Sequence, residues 1–262
     1  DDYVLAASAG EAERARRLHA RLGAALEAGI EVSPLLVAAV ASHFPLGSLA
    51  RSEALLERAW PEAVRALLVQ QVAEPREERE LARRIARLTP IGAGVSSEVR
   101  RQYEESPYPR WVRLAPALPR PFAAYLTQLF PHVPLALGPQ RPREILVAGC
   151  GTGQESLDIA RQFPDCRVLA IALSLASLAY AARKARELGV ANVEHAQADI
   201  MELDRIGREF DAISSVGVLH NLAEPVAGWK KLLARLRPGG FMQVGLYSEI
   251  ARKDIVAARA FI

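Results

Sequence analysis

Cysteine is nearly absent from this chain: Cys150 and Cys166 are the two in 262 residues. Two cysteines cannot build a disulfide framework, and no Cys/His spacing marks a zinc site, so no metal centre is expected. Long apolar runs are missing as well, and none reaches the ~18 residues that a membrane span needs. The opening Asp-Asp-Tyr has none of the features of a signal peptide, and no methionine precedes it. The expectation is a piece of a longer protein from a reducing cytoplasm, without a membrane partner. Lysine is scarce: four of the 33 basic residues are Lys and the rest Arg. The arginines are interspersed with Glu and Ala rather than gathered on one face, so dedicated nucleic-acid binding is not expected. Hydrophobic residues, by contrast, make up 50% of the chain and charged ones 24%, which supplies a sizeable core and excludes wholesale disorder.

The pattern changes near residue 140. Before it, every periodic segment reads as helix. Residues 11–28 place Leu18, Leu22 and Leu26 on one stripe, and Gly29 can close that helix. Ser33-Pro34 opens a second, short one, with a capping Ser and Pro at the first helical position. Residues 52–59 form another, and Pro61 starts one with Val64, Leu67, Leu68 and Val72, which Glu74-Pro75 is expected to end. Residues 77–88 read as a charged helix with Leu81, Ile85 and Leu88 as its apolar side. No 34-residue repeat is visible. The stretch 89–141 is rich in proline and reads as an ordered wrap across the second domain with one helix, about 122–129. The expected division is a helical segment 1–90, a connector and candidate lid 91–141, and a domain 142–262.

After residue 141 strands and helices alternate. Apolar strands are expected at 144–148, 167–172, 192–198, 210–216 and 241–247, with Pro238-Gly239-Gly240 as a turn before the last. Strands alternating with helices at this spacing predict an α/β fold with a doubly wound parallel sheet, Rossmann-like, preceded by an all-α segment. The run Gly149-Cys-Gly-Thr-Gly153 follows a buried strand and opens a helix. Glycine permits a tight turn and close approach of a ligand, and the following helix N-terminus offers free N–H groups. A dinucleotide fingerprint would need a glycine at 154, which is Gln, and this argues against a nicotinamide-dependent reductase.

The run ILVAGCGTG at 145–153 resembles the first motif of class I S-adenosylmethionine-dependent methyltransferases. So do AQADI at 196–200, FDAISSVGVLHNL at 210–222 and LRPGG at 236–240, in the same order and spacing. The stretch QYEESPYPRW at 102–111 further resembles bacterial methyltransferases in which tetratricopeptide repeats precede the catalytic domain. The resemblance implies S-adenosylmethionine as cofactor. It implies that Gly149, Cys150, Gly151, Thr152 and Gly153 line the methionine part, that Ala172 and Leu173 stand at the ribose, that Asp199 faces the adenine amino group with Ile200 on the ring, and that Val218, Leu219 and His220 lie beside the methionine. Asp211, at the start of its strand, is expected to fix the strand–loop geometry instead.

Two positions depart from the family. Many members carry an acid two residues before the first glycine, where this chain has Val147. Ala172 stands where the family places an acid that grips both ribose hydroxyls. Ser174 is a poor replacement, because it is placed to cap the next helix. Methyl transfer from a sulfonium needs orientation and desolvation, sometimes a base, and no covalent nucleophile. Cys150 is therefore read as a packing residue. Tyr103, Tyr108 and His220 are the candidate catalytic residues, and Glu104, Arg110 and Trp111 join the two tyrosines as candidates for shaping the acceptor pocket. Only residues 248–262 follow the fifth strand, so the family's last two strands are expected to be missing. The expected function is methyl transfer to an acceptor, a peptide or a small molecule. The alternative is a non-catalytic methyltransferase-like scaffold.

Overall fold

The structure is a computed structural model that describes residues 8–133, 142–248 and 250–261. The N-terminal Asp-Asp-Tyr, Pro134 and Pro139 of the connector, and Glu249 and Ile262 of the expected last helix lie outside the described residues. The chain divides into two compact units, residues 1–80 and 81–262.

The first unit is helical. Helix α1 (Ala9–Glu27) and α2 (Pro34–Ala41) are followed by two 3-10 turns, then α3 (Glu62–Leu68) and α4 (Glu74–Ala82), which runs into the second unit. The α1 stripe faces a core of its own: Leu22 and Leu26 are buried with Val37, Val40, Leu46, Leu55 and Leu68. The Ser33 hydroxyl accepts the Leu36 N–H at 3.2 Å and Pro34 takes the first helical position, as the sequence predicts. Glu74-Pro75 does not end a helix. A π-helical turn (Val69–Ala73) joins α3 to α4 and carries the chain through the proline. Pro75 has no N–H to give to the Gln71 carbonyl, and the turn before it is closed instead by the Glu74 N–H on the Val69 carbonyl. Gly47 makes room there: a Cβ on it would lie 2.7 Å from the Gln71 oxygen.

The second unit is a six-stranded parallel sheet in the order β1-β4-β3-β2-β5-β6. Its strands are β1 (Ala86–Arg87), β2 (Arg143–Ala148), β3 (Cys166–Ala172), β4 (Val193–Gln197), β5 (Phe210–Val216) and β6 (Leu236–Gly245). Helix α5 (Val95–Glu105) and α6 (Phe122–Leu129) precede β2, α7 (Gln154–Gln162) follows it, α8 (Leu175–Glu187) follows β3, α9 (Pro225–Leu233) precedes β6, and α10 (Lys253–Phe261) comes last. The sheet is covered on both faces. Leu146, Leu169, Ile171, Phe210 and Ile213 anchor one apolar cluster, and Ile145, Val147, Val168, Ala170 and Leu178 another. That explains strands with near-continuous apolar runs. Among the described residues no helix is long and apolar enough to cross a membrane.

Three expectations are corrected in this unit. The segment 77–88 does not stay helical. Its end pairs with β4 as β1, and the Leu88 N–H continues the ladder to the Gln197 carbonyl at 2.8 Å. The proline-rich stretch holds a second helix, α5, in a proline-free window between Pro90 and Pro107. Pro238-Gly239-Gly240 lies within β6 as a bulge, because Leu236 already pairs with Phe210 before Phe241 pairs with Ala212. Gly240 permits that fold-back, since a Cβ there would lie 2.8 Å from the Asp211 oxygen.

Candidate functional site

The chain leaves β2, builds outward through β3 and β4, and returns to β5 beside β2. A ligand crevice forms at the carboxyl ends of the strands at such a reversal. A pocket of about 720 Å³ opens there, within the second unit.

The glycine loop forms its floor. Gly149 and Gly151 have φ of 86° and 52°, in the left-handed region that favours glycine. The Gly149 and Cys150 N–H groups both donate to the Ile171 carbonyl, at 2.8 and 2.9 Å, and tie the loop to β3. A Cβ on Gly149 would lie 2.4 Å from Val218 Cγ2, so the loops after β2 and β5 meet across this glycine. Gly149, Cys150, Gly151, Thr152, Ala172, Leu173, Asp199, Ile200 and Val218 all line the pocket, together with Tyr103 and Tyr108.

Three of the predicted residues stand elsewhere. Gly153 does not line the pocket; a Cβ on it would lie 2.4 Å from that of Ala181, so its small size serves the packing of α7 on α8. His220 does not line it either. Its ring packs on Tyr247, with centroids 4.2 Å apart, and Tyr247 in turn faces the pocket. Burial, aided by Arg252, lowers the His220 pKa. Leu219 is buried in the sheet core.

The proline-rich segment is strapped onto the sheet by a series of backbone contacts. The Thr152 hydroxyl donates to the Pro109 carbonyl at 2.6 Å, and Trp111 Nε1 donates to the Thr152 carbonyl at 3.0 Å. The Tyr180 hydroxyl donates to the Trp111 carbonyl, and Lys184 Nζ to that of Val112. Arg110 lies over the Tyr180 ring at 4.5 Å. Arg110 and Trp111 thus pin the strap, while Tyr108 reaches the pocket. The Glu104 carboxylate accepts the Leu175 and Ala176 N–H groups at 2.7 and 3.1 Å, and Ser174 donates to the Tyr103 carbonyl while accepting the Ser177 N–H. The N-terminus of α8 is therefore capped from both its own residue and α5.

Asp199 is buried and doubly engaged: one oxygen accepts the Met201 N–H at 2.9 Å, the other the Gly92 N–H at 3.1 Å. Asp211 accepts the Glu144 N–H and Arg237, each at 2.8 Å, which ties β2, β5 and β6 together away from the pocket. Burial pushes the Cys150 thiol up to about 12, with the neighbouring Glu155 adding to it, so no thiolate nucleophile stands in the loop.

Several lining residues carry no motif in the sequence. Val95, Ser96 and Val99 come from α5, Glu155 and Asp158 from α7, and Gln243 and Tyr247 from β6 and just beyond. Val95, Val99 and Tyr103 recur every four residues, a helical signal that the surrounding prolines mask. Burial raises the pKa of both Glu155 and Asp158; the Ser214 hydroxyl, hydrogen-bonded to Glu155, and Arg161 near Asp158 act in the opposite sense. Among the described residues the lining holds the carboxylates Glu155, Asp158 and Asp199 and no Lys, Arg or His.

Residues 145–240 match the family described as "Methyltransferase domain". An uncharacterized protein of Synechococcus is 40% identical over 116 residues, which cover 44% of this chain and 28% of the other. Trans-aconitate 2-methyltransferase of Deinococcus radiodurans is 36% identical over 110 residues, covering 42% of this chain and 40% of that one. The chain thus spans less than half the length of these relatives. Among solved structures, PKMT2 from Rickettsia typhi in complex with AdoHcy superposes with a TM-score of 0.44 at 24% identity, over 56% of this chain and 30% of that one. The matched stretch runs from Ile145 in β2 to Gly240 in β6 and takes in the glycine loop, β3, β4 and β5.

Proposed function

We propose that the second unit binds S-adenosylmethionine in the pocket above β2, β3 and β5 and transfers its methyl group to an acceptor, a peptide or a small molecule. The observation that carries this reading is the glycine loop at the sheet's reversal point, in a pocket lined by Asp199, Ile200 and Val218 within a methyltransferase-domain match. The residues present fit the cofactor. The glycine floor lets the backbone approach it closely. Ile200 and Leu173 offer apolar surface to a ring. Ser177, whose buried hydroxyl has no hydrogen-bond partner among the described residues, belongs to the same lining. An acidic lining suits a cationic ligand.

When bound, the cofactor supplies an activated methyl group on a sulfonium. The protein's share is then to orient and to exclude water. Gly149 and Gly151 set the depth of the floor, Asp199 holds the edge at the end of β4, and Tyr103 of α5 and Tyr108 of the strap form the wall. Cys150 takes no part in covalent chemistry. Calorimetric titration with S-adenosylhomocysteine tests the binding half, and transfer of radiolabelled methyl from S-adenosylmethionine into a cell extract tests the reaction. Saturable binding and incorporation are expected; no binding at millimolar ligand would sink the reading.

A further inference from the structure

The family's acid two residues before the first glycine is missing, and Val147 is fully buried in its place. Val147 pairs in register with Ser214 of β5, so their side chains share one face of the sheet. Helix α7 packs on that face through Ala160. From the first turn of α7, Glu155 reaches back to the Ser214 hydroxyl. A carboxylate is thus delivered from the helix to the strand ends beside Val147, where the strand itself carries none.

Among the described residues no cation balances Glu155. Its hydrogen-bond partner is the neutral Ser214, and the loop thiol of Cys150 is near enough to feel its charge. A desolvated carboxylate is costly unless a charged donor meets it. The molecule as a whole carries a net charge of +3, yet this pocket has three carboxylates and no basic side chain among the described residues.

We propose that Glu155, braced by Ser214, receives the α-ammonium group at the amino-acid end of the bound cofactor. The proposal rests on the cofactor reading above. The ammonium is favoured over the sulfonium because it has N–H donors that a carboxylate can accept, whereas a sulfonium has none. Glu155 also lies two residues beyond the loop whose glycines would hold that end of the cofactor. The protein brings an anion and the ligand a cation, so the charged form of Glu155, disfavoured by burial, is restored on binding.

Two ligands separate the possibilities. S-adenosylhomocysteine keeps the ammonium and lacks the sulfonium, while 5′-methylthioadenosine lacks the whole amino-acid end. Glu155→Gln keeps the shape and can still meet Ser214. We expect it to weaken S-adenosylhomocysteine about 10- to 100-fold and leave 5′-methylthioadenosine unchanged. Ser214→Ala should weaken S-adenosylhomocysteine by a smaller factor. In the wild type, affinity for S-adenosylhomocysteine should fall as pH drops through the raised range of Glu155, with proton release on binding measurable by calorimetry in two buffers; Glu155→Gln should abolish that dependence. An unchanged affinity for S-adenosylhomocysteine, or equal weakening of both ligands, overturns the proposal alone. Failure of both ligands to bind the wild type overturns the cofactor reading, and the proposal with it.

Discussion

Ala172 is the residue at which sequence and chemistry disagree most. It ends β3, is buried, and faces the pocket beside Leu173. Among the described residues the polar groups next to that strand end are already engaged: Glu104 with the α8 N-terminus, and Ser174 with its cap and with Tyr103. A carboxylate–hydroxyl hydrogen bond contributes about 1.5–3 kcal/mol. Ala172→Asp is therefore expected to tighten S-adenosylhomocysteine about 10- to 100-fold by calorimetry. 5′-Methylthioadenosine, which keeps the ribose, should gain equally, and adenine should gain nothing. A gain for adenine would mean that the new carboxylate acts elsewhere. The glycines were legible because their spacing after an apolar strand has a backbone reason. Glu155 was not, because its role depends on Ser214, which lies 59 residues later and meets it only through the order of the strands.

Elements show the same division between local and distant causes. The caps at Ser33 and Ser174 and the strands β2, β3 and β5 follow from residues within each element, and they stand where the pattern puts them. Strand β1 exists only because β4 leaves an edge to pair with, and a two-residue strand has no periodicity to read. Helix α5 was hidden by its flanking prolines, although it supplies one wall of the pocket. That wall is held by Glu104, whose two hydrogen bonds reach the first turn of α8. Glu104→Ala should cost the second unit about 1–3 kcal/mol, from the charge-assisted bonds and the unpaired N–H groups left behind. Urea denaturation measures the loss. Ligand affinity should weaken with it by a few-fold, since Tyr103 and Val99 belong to the same helix. Unchanged stability would mean that water caps α8 equally well.

At the scale of the whole second unit, His195, in the middle of β4, makes stability sensitive to acid. Its Nε2 is buried without a partner, and burial lowers its pKa from 6.5 to about 4. The unfolded chain therefore binds a proton near pH 6.5 that the folded sheet refuses until about pH 4. Stability is fully present above pH 6.5 and is lost as pH falls through this window, by up to about 3 kcal/mol. Glu155 works in the opposite sense: its pKa is raised on folding, so the folded state holds its proton more tightly and gains as pH falls. The two can be separated. In a Trp60→Phe background, Trp111 and Trp229 are the remaining tryptophans, and both report on the 81–262 unit. Urea unfolding followed by their fluorescence should show stability falling between pH 6.5 and 4. His195→Phe should flatten that fall, because a neutral ring keeps the packing and never needs to charge. Glu155→Gln should steepen it, because it removes the opposing contribution. A fall that His195→Phe leaves unchanged would place the acid sensitivity of the sheet in another group.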